Sequence, residues 1–333
     1  MERKIKESLS ISWKEGIPAS MMLGVLDYYL IPFGLYLGAT NRAVAVLSSL
    51  PHLAASMAQP WAVEAVRRAG SRLRFVVATA AAAMRFLSAG MLSRMTELPM
   101  RATPESEFTF LMFLRRFRES NFVKFVLFVA STLFTTHLAA PYFSVYMLRD
   151  LGLSYFTYML IHLAAVVGSL AAFPIWGRNA DVVGNARILK TTGWLVPVIP
   201  LLWLVSRDPA YLVLVEFFAG FVWGGFNLCA ANFIYDAVTP EKRVRCLGYF
   251  NLISGLAIFA GAMIGGFLAD RLPPLFGLPL MTLFLISGLM RFVAMLWPWG
   301  RFKEVRQGAR HVSSGRLFFS VVGIRPLTGE ALE

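Results

Sequence analysis

Two acidic side chains lie within long apolar runs of the chain. Asp27 lies in G-V-L-D-Y-Y-L, and Glu216 lies in V-L-V-E-F-F-A-G. A carboxylate in such surroundings is costly and is usually paired or functional. We therefore expect Asp27 and Glu216 to bind a solute or to couple its movement to protons or Na⁺. The alternatives are structural: a hydrogen-bonded acid at position 27, and a carboxylate that reaches a polar surface at position 216.

Glu216 shares one face of a predicted helix with other groups suited to binding. Gly220, Trp223, Asn227 and Ala231 follow it at spacings of about i+4, i+7, i+11 and i+15. Residues at such spacings lie on the same side of an α-helix. An acid, an indole N–H donor and an amide on one face can line a cavity.

Histidine adds one further candidate group. His137, in T-T-H-L-A-A, has a side chain that titrates near neutral pH. We count His137 among the candidate binding or coupling residues. The alternative is a core histidine held by a hydrogen bond.

A short polar stretch, W-G-R-N-A-D-V-V-G-N-A-R at 176–187, separates two apolar runs. Its glycines favour a tight turn and close helix approach. Asp181 can accept a hydrogen bond from a helix N-terminus or from an arginine. The stretch therefore predicts a latch that holds one conformation. A basic loop that only sets membrane topology is the alternative. The candidate latch residues are Gly177, Arg178, Asp181, Gly184 and Arg187.

The composition indicates a membrane protein. The 333 residues are 57% hydrophobic and only 15% charged, whereas a soluble domain has about 25% charged residues. The net charge of +13 would suggest nucleic acid in a soluble protein, but here the basic residues lie in short loops beside apolar runs. We expect a lipid partner and no nucleic acid. Cys229 and Cys246 are expected to be free thiols.

Apolar run length predicts helices that cross the bilayer. A span needs about 20 mostly apolar residues, and its backbone must be hydrogen-bonded internally. Eight runs meet this length clearly, and a ninth, 74–93, is a doubtful span because it contains Arg85. The side chains of Arg85 and Arg291 are expected to snorkel, that is, to reach the polar membrane surface. Glycine spacing at 220–224 and 261–265 favours close helix packing. The eight clear runs are 18–38, 42–62, 123–147, 153–175, 189–206, 210–234, 247–269 and 278–298.

Loop charge predicts the orientation. Basic loops and the N-terminus are placed in the cytoplasm by the positive-inside rule, in an inner membrane. Loops 66–74 and 113–118 are both predicted to be cytoplasmic, although run 74–93 alone separates them. That run is therefore predicted either to re-enter the membrane without crossing it or to cross it because helix packing forces it to. The basic segments are 66–74, 113–118, 177–187, 240–245 and the tail from Arg301.

Four regions follow from these patterns. Residues 1–93 form an incomplete N-terminal bundle and residues 94–120 a linker with an amphipathic helix at 103–118. Residues 121–298 form a six-helix bundle, and residues 299–333 form a basic cytoplasmic tail. A second amphipathic piece, 313–326, is expected to rest on lipid or to be solvated.

An internal repeat relates the two bundles. Pro60 and Pro174 are separated by 114 residues, as are Gly70 and Gly184. R-F-L-S-A-G-M-L at 85–92 resembles R-F-V-A-M-L at 291–296 with a separation of 206. The separations differ by 92 residues, about three membrane helices with their loops. The pattern predicts two related halves, with the equivalent of three helices missing from the first.

The spacing G-x-x-x-D-x-x-G-x-x-R at 177–187 resembles the signature loop of the major facilitator superfamily. D-A-V-T-P-E-K-R-V-R at 236–245 is also similar to the pattern of that family. The resemblance implies two six-helix halves, a cytoplasmic position for the loop, and a solute site between the halves. The first half departs from it, because Arg67 stands where Asp181 stands in the second. The family's helix-four and helix-five motifs have no match here.

These patterns predict an all-α polytopic membrane protein with eight or nine transmembrane helices. Two or three come from an incomplete N-terminal half and six from a complete C-terminal half. The predicted function is secondary transport of a small solute by alternating access. The alternative is a non-transporting remnant or scaffold, unless a second copy completes the cavity as a homodimer. An enzyme is least favoured, because the sequence contains no metal, cofactor or catalytic motif.

Overall fold

A computed structural model describes residues 31, 35, 39–51, 53, 120–296 and 302–306. Asp27, Arg85, the run 74–93 and the two amphipathic segments lie outside the described residues. The predictions made for them therefore stay predictions.

The described residues form α-helices, one π-helical turn and short connections, with no strand. The helix in the first half, α1, includes residues 41–51. The π-helical turn Tyr146–Asp150 follows α3 directly. The helices of the second half are α2 (Asn121–His137), α3 (Ala140–Val145), α4 (Tyr155–Val183), α5 (Asn185–Leu195), α6 (Val198–Leu202), α7 (Pro209–Ala237), α8 (Pro240–Ala269) and α9 (Pro279–Leu296).

Helix length and hydropathy identify five candidate membrane spans among the described residues. The predicted span at 189–206 differs, because it is divided into α5 and α6 around Pro197. Proline lacks the N–H that would continue the helical hydrogen bonds. The five spans are Asn121–Asp150, Tyr155–Val183, Pro209–Ala237, Arg245–Ala269 and Pro279–Leu296.

Side-chain caps explain where three of the long helices begin. The Ser120 hydroxyl accepts from the Val123 N–H, and the Ser154 hydroxyl accepts from the Thr157 N–H. The Asp208 carboxylate accepts from two N–H groups in the first turn of α7. Such caps satisfy donors that have no partner inside the helix.

The buried side chains form two clusters at opposite ends of the bundle. One surrounds Phe125, Trp176 and Phe233, near the end that carries Gly184 and residues 302–306. The other surrounds Tyr142 and Trp203, near the end that carries Asp150, Asp208 and Asp270. After the orientation that loop charge predicts, we label the first the inner end and the second the outer end.

Glycines allow α8 to pack closely on α2. A methyl group on Gly261 would collide with the Phe134 carbonyl oxygen, and one on Gly265 would collide with the Leu138 carbonyl oxygen. The expectation of close helix packing at 261–265 is therefore confirmed. This contact joins the first and the fourth of the five spans.

Helix α1 packs on the outer end. Val44 and Ala45 are fully buried in the outer cluster. A methyl group on Gly266 of α8 would lie 3.0 Å from the Ala45 Cβ atom. The first half therefore contacts the second at the outer end.

Candidate functional site

A cavity of about 450 Å³ opens among the helices of the second half. Binding pockets for small molecules range from about 300 to 1,000 Å³. Two of its lining residues are an acid, Glu216, and a base, Arg291, and most of the others are apolar or aromatic. The remaining residues that line it are Thr136, Ala140, Phe143, Ala165, Val166, Ser169, Leu170, Phe173, Ile199, Ala219, Gly220 and Trp223.

Close packing of α4 against α7 places Glu216 at this cavity. A methyl group on Gly220 would collide with the Ala165 carbonyl oxygen, and one on Gly168 would collide with the Phe217 carbonyl oxygen. The Ser169 hydroxyl donates to the Gly220 carbonyl oxygen at 2.9 Å. The two helices are therefore held in contact one turn from Glu216.

The predicted face of α7 is divided between two environments. Glu216, Gly220 and Trp223 line the cavity. Asn227 and Ala231, farther along the helix, are exposed and are not among the residues that line it. Only the first two turns of that face therefore meet at the cavity.

His137 lies beside the cavity without lining it. Its Nδ1 atom donates to the Leu133 carbonyl oxygen at 2.9 Å, whereas its neighbour Thr136 is a lining residue. Its role as a binding or coupling residue stays a prediction.

Arg291 does not snorkel, so that expectation is wrong. Its side chain is 1% exposed. Nε donates to the Ser287 hydroxyl at 3.2 Å, Nη1 to the Val196 carbonyl oxygen at 3.2 Å and Nη2 to the Thr136 carbonyl oxygen at 3.3 Å. The guanidinium therefore joins α9 to the α5–α6 break and to the first span. Pro200 accounts for part of this, because it lacks the N–H to which the Val196 carbonyl would bond in a continuous helix.

The signature stretch 176–187 is helical along most of its length. Helix α4 extends to Val183, a single residue follows, and α5 begins at Asn185. Gly184 has φ 87° and ψ 157°, a backbone conformation almost confined to glycine. The tight turn is therefore confirmed at Gly184. A methyl group on Gly177 would make only an ordinary contact, 3.8 Å from Leu228.

Asp181 is paired with an arginine. Its Oδ1 atom accepts from Nη1 of Arg306 at 2.9 Å, and the two side chains are 69% and 42% exposed. Arg178 is exposed and Arg187 is partly buried. An arginine partner for Asp181 was predicted, but no sequence pattern identified Arg306 as that arginine.

Residues 302–306, which we call the tail clasp, pack against the inner end. The Phe302 side chain is fully buried, and its ring centroid lies 5.1 Å from that of Phe128 and 5.6 Å from that of Phe233. Asn121 donates to the Lys303 carbonyl oxygen at 2.8 Å and accepts from the Lys303 N–H at 2.7 Å. These contacts were not predicted from the sequence, although an aromatic residue soon after the end of a helix was a usable signal.

A polar contact joins the two halves at the outer end. Asn41 donates to Oδ1 of Asp270 at 2.9 Å and accepts from Nη1 of Arg149 at 3.1 Å. Nε of Arg42 lies 3.3 Å from Oδ2 of Asp270. We call Asn41, Arg42, Arg149 and Asp270 the outer polar contact.

No metal site is evident in the described part of the chain, where no group of three or more His, Cys, Asp or Glu side chains could hold an ion. Cys229 and Cys246 are both buried and free, which confirms the expectation of free thiols.

A bundle of apolar helices long enough to cross the bilayer several times, with a cavity that contains an acid and a base, is typical of a polytopic membrane protein. The profile of the Major Facilitator Superfamily matches residues 125–330, more than half of the chain. The chain belongs to this superfamily.

Two curated relatives share limited similarity. The chain is 24% identical over 123 residues to multidrug resistance protein 3 of Bacillus subtilis, covering 37% of this chain and 24% of that protein. It is 25% identical over 118 residues to vacuolar basic amino acid transporter 1 of Saccharomyces cerevisiae, covering 35% and 21%. The match therefore spans about a quarter or less of each relative's length. No solved structure matches the chain significantly.

Proposed function

We propose that the protein is a secondary transporter that moves a small solute by alternating access. The observation that carries the proposal is the cavity that contains Glu216 and Trp223 within a superfamily bundle. A carboxylate inside a membrane span is costly and is usually retained for binding or ion coupling. Both curated relatives have names that describe resistance or transport.

Contacts at opposite ends supply candidate gates. The outer polar contact joins α1 to the second half, and Asp181 pairs with the tail clasp at the inner end. In alternating access, ties on one side of a central site break as ties on the other side form. Gly177, Arg178, Asp181, Gly184 and Arg187 form the inner latch segment in this proposal.

The coupling ion is a proton or Na⁺, with Asp27 and Glu216 as the coupling or binding acids. Trp223 contributes an aromatic wall, and Asn227 and His137 are auxiliary candidates. The membrane is the cytoplasmic inner membrane, and the inner end and the N-terminus face the cytoplasm. A second copy of the chain is a candidate partner that would complete the cavity wall.

Flux into sealed vesicles tests the proposal. Purified protein is reconstituted, a proton or Na⁺ gradient is imposed, and uptake of ethidium, lysine and phenylalanine is measured. We expect at least one solute to accumulate only with a gradient, and Glu216→Gln and Asp27→Asn to reduce that flux at least tenfold. Asn232→Ala, at an exposed position of α7, serves as the control. No gradient-driven flux of any solute would favour the non-transporting scaffold.

A further inference from the structure

An acid and a base at the cavity lack charged partners among the residues that the structure describes. Arg291 forms no salt bridge with any acidic residue in the described part of the chain, since its three hydrogen bonds go to a hydroxyl and two carbonyls. Glu216 likewise forms no salt bridge with a described residue. Both side chains line the same 450 Å³ space.

Burial makes an unmatched charge unfavourable. A guanidinium has five N–H donors, and the three hydrogen bonds of Arg291 leave two of them for a ligand. Neutral acceptors do not neutralise its charge, and a buried charge without a counterion is strongly destabilising. A solute carboxylate at Arg291 would supply the counterion and would form a charge-assisted hydrogen bond.

Glu216, when ionised, requires a positively charged partner from the solute. Glu216 is an acceptor when ionised, so a solute ammonium would satisfy it. Trp223, Phe143 and Phe173 add aromatic surface to the wall of the same cavity. Aromatic faces attract cations and apolar groups alike.

We infer that the cavity binds a zwitterion with an apolar body, with its carboxylate at Arg291 and its ammonium at Glu216. This inference rests on the proposed function for its biological meaning, but binding itself does not require transport. It names a chemical class, amino acids and short peptides with apolar side chains. Solutes that carry only one of the two charges are excluded, because each would leave one cavity charge unmatched.

Binding in detergent tests the inference without a gradient. The probes are phenylalanine and phenylalanyl-phenylalanine, which differ in the separation of their charges. Each is compared with its C-terminal amide, which is cationic, and its N-acetyl form, which is anionic. Affinity is measured by isothermal calorimetry and by quenching of tryptophan fluorescence. We expect at least one zwitterion to bind at least tenfold more tightly than both of its analogues.

Substitutions of the two cavity residues test separately which residue binds the solute ammonium and which binds its carboxylate. Glu216→Gln should remove the preference for the free ammonium over the N-acetyl form while retaining the preference for the carboxylate over the amide. Arg291→Lys should weaken the carboxylate preference, and it is scored only if its melting temperature shows that it folds. Asn232→Ala should bind as the wild type does.

Three results would overturn the inference: an amide or N-acetyl probe that binds as tightly as its zwitterion, no binding by any probe, or a Glu216→Gln variant with unchanged selectivity. Gradient-driven uptake of a cation such as ethidium together with any of these would leave the transport proposal intact. Selective zwitterion binding without flux would support the inference and contradict transport.

Discussion

The Glu304 carboxylate accepts a hydrogen bond from the Ala186 N–H at 2.7 Å, although 118 residues separate the two in the chain. Helix α5 has no side-chain cap of its own at Gly184. The tail clasp therefore supplies the negative charge that a helix N-terminus attracts. The single-residue turn between α4 and α5 is fixed from outside by a segment that follows α9.

Removal of this external cap should loosen the start of α5. We expect Glu304→Ala to lower the free energy of unfolding by about 1–2 kcal/mol, because a carboxylate cap and its interaction with the helix dipole are lost. Glu304→Gln keeps an acceptor and should cost about half as much. Thermal unfolding in detergent and hydrogen exchange at 185–188 measure the effect. Equal exchange in the wild type and Glu304→Ala would contradict the capping role.

The two glycines of the signature segment should respond differently to alanine. Gly184→Ala should destabilise the protein by about 1–3 kcal/mol, because its backbone conformation is costly for any residue with a Cβ atom, and the added methyl group would collide with Glu304. Gly177→Ala is the matched control. It lies in a helix with room for a methyl group, so it should be neutral or stabilising by about 0.5–1 kcal/mol. Chemical or thermal unfolding of both variants checks the prediction, and a destabilised Gly177→Ala would contradict it.

Contact between α4 and α7 should depend on Gly220. We expect Gly220→Ala to destabilise the bundle by about 1–3 kcal/mol, because the new methyl group would overlap the Ala165 carbonyl and force the helices apart. This cost outweighs the gain of about 1 kcal/mol from replacing glycine in a helix. Melting temperature and phenylalanine binding should both fall. A variant that melts like the wild type would show that the helices separate without cost.

Loss of the Asp181–Arg306 pair should change the rate of solute flux more than it changes the stability of the fold. Both side chains are substantially exposed, and exposed pairs contribute about 0–1 kcal/mol. Asp181→Arg should therefore change the melting temperature little while altering flux severalfold in vesicles. The double variant Asp181→Arg with Arg306→Asp restores the opposite charges and should recover part of the flux. No recovery, or a large loss of stability in the single variant, would argue against a latch.

In the proposed alternating-access cycle, the outer polar contact should open. Cysteines introduced at Asn41 and Asp270 can be joined by a short bifunctional thiol reagent, since the native side chains are hydrogen-bonded at 2.9 Å. Cys229 and Cys246 are buried, so they should react slowly. We expect cross-linking to reduce flux at least fivefold and reduction of a cleavable linker to restore it. Full flux in the cross-linked protein would exclude separation at this contact.

Sequence patterns predicted the helical membrane fold well, because the length of each apolar run is set by bilayer thickness. Five of the six runs of the second half form continuous spans, and the sixth is interrupted at Pro197. The pattern also placed Glu216 and Trp223 together, since both lie on one helix at a spacing that local geometry fixes. Asn227 falls outside the cavity because the extent of a cavity depends on neighbouring helices.

By itself, then, the sequence determined what depends on local periodicity and on transfer to lipid: the spans, the glycine turn at 184 and the acid on α7. Only the tertiary structure decided which distant groups meet. It buried Arg291 beside the cavity, set Glu304 at the start of α5 and paired Asp181 with Arg306. Such pairings depend on how the helices pack, and no spacing along the chain encodes a distance between residues more than 100 positions apart.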